Sequence, residues 1–205
     1  ATVLTACGGD DEPAVEASGE GALADVCPAN VVIQADWEPE AEHGGIYELV
    51  GDDPTFEANS EYSVTGPLVA SGEYTGVDIT IVSGGSARPD YLQPDGMLYA
   101  EDDIFAGYVG SDEAVVHSGS YPTVGVFAPL EKDPQMIMWD PETLPEIETI
   151  ADLGEADVPV RVFPGGYYID YFVSTGVLSA DQIDSTYDGA PDVFVGAGGT
   201  IAQQG

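Results

Sequence analysis

Between Asp36 and His43 four carboxylates, Asp36, Glu38, Glu40 and Glu42, fall within seven residues, beside one indole, Trp37, and one imidazole, His43. Carboxylates accept hydrogen bonds and attract cations, and no lysine or arginine lies near them in sequence. A buried anion would be left unpaired here, so the stretch suits a neutral or cationic partner. No Ser/His/Asp order and no metal-ligand spacing stands out elsewhere, and the two histidines, His43 and His117, are far apart in the chain. The chemistry indicated is binding rather than bond cleavage, with no metal and no cofactor.

The elements that position this stretch follow from its flanks. Val31-Val32-Ile33-Gln34-Ala35 is a short, β-branched apolar run that predicts a buried strand, which puts the polar cluster at its carboxyl end. Pro39 interrupts regular structure, Gly44-Gly45 permits close backbone approach, and Ile46, Tyr47, Leu49 and Val50 begin a helix-spaced stripe. A strand, a polar loop and a helix start is how open α/β sheets present a ligand.

The pattern recurs downstream. Glu61 to Gly76 predicts turns or a small hairpin, and Val77 to Val82 alternates as a strand that runs into Ser83-Gly84-Gly85-Ser86, whose backbone N–H groups suit a ligand oxygen. Ile104 to Val109 predicts a third strand ending before Ser111-Asp112-Glu113. Ser111 there reads as an N-cap, and Asp112 with Glu113 as helix-favouring acids; ligand contact is the competing reading. Thr123 to Ala128 and Met136 to Trp139 predict a fourth and a fifth strand. From Asp140 the plan restarts: a helical turn over Thr149 to Gly154, a strand over Val158 to Phe163, a helix from Tyr167 to Val173 opened by Pro164-Gly165-Gly166, a capped turn at Ser179, and a strand near Ser185 to Tyr187. Alternating strands and helices imply an α/β fold with mostly parallel sheets.

Composition bounds the rest. Three basic residues, Arg88, Lys132 and Arg161, face 38 acidic ones for a net charge of −35. Such a surface repels nucleic acid and anionic membranes and stays soluble in salt. The segment Ala1 to Cys7, ATVLTAC, is followed at once by Gly8-Gly9-Asp10-Asp11. It resembles the lipobox that ends a bacterial lipoprotein signal peptide, which implies lipidation at Cys7. Residues 8–27 read as an acidic, disordered tether. Cys27 has two readings, a buried free thiol or half of a disulfide whose partner lies past Gly205.

Five stretches in order carry a wider resemblance: DWEPEAEHGG, YVGSDEAVV, VGVFAPLEKDPQMIMWDP, TIADLGEADVPVRVFPGGYYIDYFV and STYDGAP. Together they resemble solute-binding lipoproteins of ABC importers with the two-lobed type II periplasmic-binding fold. Within that family the chain is similar to binders of nitrate, sulfonates, taurine and thiamine-pyrimidine precursors, whose loop has Trp, Pro and His at the spacing of Trp37, Pro39 and His43.

The resemblance implies lobe one over 28–135, a crossing strand over 136–140 and an incomplete lobe two over 141–205. A return segment of about a hundred residues would complete a domain of ordinary size. It implies a solute held between lobes that close by a hinge. Asp36, Trp37, Glu40 and His43 would line lobe one, with Gly85, Ser86, Ser111 and Asp112 adding polar contacts. Gly166, Tyr167 and Asp188 would close from lobe two. Trp37 would stack on the solute, the competing readings being a core anchor for Trp37 and a backbone-bonded helix start for His43.

With the acidic loop, the resemblance favours a small nitrogen heterocycle or vitamin precursor as solute, delivered to permease and ATPase subunits. Arg88 alone argues for an anionic group instead. The expected location is extracytoplasmic, either lipid-anchored to the outer face of a bacterial cell membrane or periplasmic. The same loop occurs in eukaryotic thiamine-pyrimidine synthase, an enzyme that requires a pyridoxal phosphate lysine and a cysteine-rich iron segment. Lys132 is the only lysine here and there is no cysteine cluster, so an enzyme is the alternative, as is a surface lipoprotein without a transport role.

Overall fold

The computed structural model describes residues 20–58, 62–85, 93–163, 166–187 and 191–204. The chain is mixed α/β and divides into two compact units, Ala1–Pro129 and Leu130–Gly205.

In the first unit five strands, β1 (Asn30–Gln34), β2 (Thr55–Glu57), β3 (Ser63–Ala70), β4 (Glu73–Val82) and β5 (Ile104–Gly107), form one sheet in the order β2-β3-β4-β1-β5. β1 runs parallel to both β4 and β5, whereas β2-β3-β4 are antiparallel, so the sheet is mixed rather than mostly parallel. The hairpin causes the difference. Ser71 (φ 55°) and Gly72 (φ 81°) both take the left-handed conformation of a two-residue hairpin turn, whose twist matches that of the strands it joins.

The register Val31↔Ile79 and Ile33↔Ile81 puts these side chains on one face, over a core with Val64, Leu68 and Val77. On the other face Val32 and Val82 meet Ile104 and Met97, the latter from α2 (Pro94–Ala100). Both faces of β1 are therefore buried, as its unbroken apolar run requires.

Local expectations near β1 change in detail. Of the stripe from Ile46 to Val50 only Ile46 and Tyr47 lie in a helix, the four-residue α1 (Gly44–Tyr47), which follows a single 3-10 turn over Ala41–His43; Val50 instead makes an isolated antiparallel bridge to Leu68. A Cβ added at Gly44 or Gly45 would meet nothing within 4 Å, so no neighbouring protein atom requires glycine at either position. Ser111 is the first residue of α3 (Ser111–Val116) rather than its cap; Gly110 holds the cap position and its N–H donates to Glu113 Oε2 at 3.1 Å. Thr123 to Ala128 forms no strand, and Val124, Val126 and Phe127 are more than 80% exposed. Alternation supplies propensity, but a strand also needs a neighbour, and β5 is an edge bonded to β1. At the other end Leu23 and Cys27 pack against the sheet and Leu23 N–H donates to Thr75 O at 2.8 Å, so residues 20–27 lie on the fold. Cys27 is a half-buried free thiol.

The second unit holds β6 (Ile137–Met138), α4 (Ile150–Glu155), β7 (Val160–Arg161), α5 (Tyr167–Ser174), β8 (Ile183–Asp184), α6 (Pro191–Gly196) and β9 (Ala202–Gln204). Its sheet order is β6-β9-β7-β8, with β9 antiparallel to β6 and parallel to β7. Val160, Ala202 and Ile137 share a core with Leu153, Ile169 and Leu178. The strand expected at Ser185 to Tyr187 lies two residues earlier, where Ile183 pairs with Val160 and can reach that core. Among the described residues no helix is long and apolar enough to cross a membrane.

Candidate functional site

The parallel strands β1, β4 and β5 end together, and their carboxyl ends carry the chemistry. Gln34, fully buried, anchors this edge: its amide donates to Ala35 O at 2.8 Å and to Val82 O and Ser83 O at 3.3 and 3.2 Å. Tyr108 N–H donates to Gln34 O, which draws the end of β5 beside the loop that leaves β1.

His43 organises that loop. It is 1% exposed, and its Nε2 lies 2.7 Å from Asp36 Oδ1. The Glu40 backbone N–H donates to His43 Nδ1 at 3.2 Å. An N–H can only donate, so Nδ1 is the acceptor, the proton of the neutral ring is on Nε2, and it points to Asp36. The hydrogen bond that His43 Nε2–H donates to Asp36 raises the imidazole above its ordinary pKa, while burial opposes it. Protonation of Nδ1 would break the Glu40 bond, so that bond belongs to the neutral Nε2–H tautomer and opposes the pull of Asp36 toward the charged ring. The bond at Nδ1 makes His43 a backbone-bonded helix start, and the bond at Nε2 ties that start to Asp36.

Trp37 lies against Gly85. Gly85 has φ +72°, and a Cβ there would sit 2.8 Å from the indole Cε3. The glycine is required both by its backbone and by the ring. Gly84 N–H donates to Trp37 O at 2.9 Å and Ser83 N–H to Tyr62 O at 3.0 Å, so this loop spends those donors internally rather than on a ligand oxygen. Trp37 itself is half-buried.

Two carboxyls here titrate near neutrality. Partial withdrawal from water, together with Glu42 beside it, raises Glu40 to about 7. Burial raises Glu113 to about 7 as well, aided by Asp112, Asp95 and Asp36 and opposed by the Gly110 N–H. Tyr108 stands edge-on to His43 with ring centroids 5.3 Å apart, and its hydroxyl pKa is raised by burial and then by Asp36 and Glu42. The structure thus brings Asp36, Trp37, Glu40, His43, Gly85 and the Ser111-Asp112 turn to one end of one sheet. It adds Tyr108 and Glu113, which the sequence signalled only as a strand end and a helix-turn acid. A neighbouring pair, buried Asp95 and His117, ties α2 to the end of α3 through Asp95 Oδ2 and His117 Nδ1.

In the second unit Gly166 caps α5 and, with Tyr167, lines a cavity of about 290 Å³ whose wall includes Phe163, Asp170 and Ser185. A Cβ at Gly166 would fall 2.7 Å from the Tyr168 ring, which fixes the residue type. Cys7, Ser86, Arg88 and Asp188 lie outside the described residues.

Among the described residues no group of three or more His, Cys, Asp or Glu side chains is arranged to hold a metal ion. The described part of the first unit contains no lysine or arginine. What the arrangement can do is accept hydrogen bonds from several directions beside an indole, with two carboxyls able to donate when protonated. No protein-family model, no curated protein and no solved structure matches the chain.

Proposed function

We propose that this chain is the solute-capturing component of an ABC importer, held outside the cytoplasm by a lipid on Cys7 and built on the two-lobed type II periplasmic-binding fold. The observation that carries the reading is the Asp36–His43–Trp37 constellation at the shared carboxyl end of three parallel strands. It offers a half-buried indole and clustered acceptors, with no lysine or arginine among the described residues of that unit, which favours a neutral or cationic nitrogen heterocycle, such as a pyrimidine or related vitamin precursor, over nitrate or a sulfonate. The resemblance of the loop to that of thiamine-pyrimidine-precursor binders supports the same class.

A thermal-shift screen of thiamine-pathway pyrimidines, riboflavin, polyamines and sulfonates tests it. The expected result is stabilisation by a heterocycle that Trp37→Ala abolishes. Stabilisation by sulfonates alone would reverse the charge argument, and no stabilisation by any solute would favour a surface lipoprotein without transport.

A further inference from the structure

A second cavity, of about 420 Å³, opens on the hairpin side of the first unit, and its lining includes none of Asp36, Trp37, Glu40 or His43. Its floor is Val50 and Val64, members of the apolar core, so the core continues to the surface here. Its rim carries two exposed rings, Phe56 at 73% and Tyr62 at 41% exposure. Water-exposed aromatic rings at the mouth of an apolar cleft leave burial energy unused.

Tyr62 is also strained. Its φ of +45° is a conformation that a bulky residue rarely adopts, and the Tyr62 carbonyl is held there by the Ser83 N–H at 3.0 Å. Glycine would occupy the position without strain. The chain instead keeps an aromatic ring over the cavity. Tyr47, hydrogen-bonded to Ser83, also lines the cleft, and Ser63 adds a further hydroxyl. Among the described residues the one charged liner is Glu57, and no lysine or arginine lines the wall.

We propose that this cleft is a binding site for an uncharged planar aromatic molecule of one or two rings, held between Tyr62 and Phe56 over an apolar floor. The volume falls within the roughly 300–1,000 Å³ of small-ligand clefts. Two faces supply stacking, and Glu57 together with the overall charge of −35 rejects anions. The site is separate from the solute loop in that none of Asp36, Trp37, Glu40 or His43 lines it, although Ser83 borders both.

Saturation-transfer NMR with indole and indole-3-carboxylate as probes tests it on the full chain. Indole should bind, and its carboxylate about tenfold more weakly. Tyr62→Gly should weaken indole by about tenfold while leaving the melting temperature unchanged or higher, since it removes the ring and relieves the backbone. Phe56→Ser, at an exposed position, should weaken indole similarly without unfolding. Trp37→Ala should leave indole binding intact, which separates this site from the solute loop. Equal binding of both probes, undiminished indole binding in a Tyr62→Gly/Phe56→Ser double variant, or loss only in Trp37→Ala would each overturn the proposal. So would sedimentation showing a dimer that Phe56→Ser dissociates, because the rings would then be an interface between copies.

Discussion

At His43 one backbone bond decides the protonation chemistry. Because the Glu40 N–H occupies Nδ1, long-range nitrogen–proton NMR above the titration of the ring should report the Nε2-protonated tautomer; an Nδ1-protonated ring would contradict the geometry. Gly85 permits a simple stability test. Gly85→Ala places a Cβ 2.8 Å from the Trp37 ring at φ +72°, and should cost about 1–3 kcal/mol by urea denaturation. Glu113 gives a pH dependence with a defined sign. Its folded pKa of about 7 exceeds the ordinary 4.5, so its contribution is complete below 4.5 and disappears as pH rises through 7. The protein should therefore be less stable at pH 8 than at pH 5. Glu113→Gln, which retains an acceptor for the Gly110 N–H, should remove about 1 kcal/mol of that difference after allowance for solvent screening. An unchanged slope in the variant would assign the pH dependence elsewhere.

At the scale of elements, short helices and two-residue strands depend on side chains that tie them together. Gln182 is buried, and its amide donates to Leu153 O at 2.9 Å and Val158 O at 3.0 Å while its oxygen accepts from Ser179 N–H at 2.8 Å. It joins the turn before β8 to the end of α4 and the approach to β7. Gln182→Leu keeps the volume but strands those groups, and should cost about 2 kcal/mol, read as a shift in the urea midpoint. The β3–β4 hairpin shows the limit of local signals. Val77 to Val82 was legible as a strand from alternation alone, whereas the eight-residue partner β3, interrupted by Gly66 and Pro67, read only as turns or a small hairpin. Thr123 to Ala128 failed in the opposite sense, with strand-like alternation but no partner in the described sheet.

For the whole molecule, a net charge of −35 makes repulsion a global term. Added sodium chloride from about 10 mM to 1 M shortens the Debye length to about 3 Å and should raise the melting temperature; a fall over that range would show that paired charges outweigh repelling ones. The same field bears on both binding proposals, since anionic ligands must overcome it before any local contact forms.

The sequence by itself determined the burial of β1 and the acidic loop after it. These follow from side-chain period and charge, which are local properties of the chain. The tertiary structure alone decided that Tyr108 and Glu113 join Asp36 and His43, that Gly85 is shaped by Trp37, and that Phe56 and Tyr62 flank a cleft. Each of these depends on strand order and register, which bring together residues far apart in sequence through pairings that no local window contains.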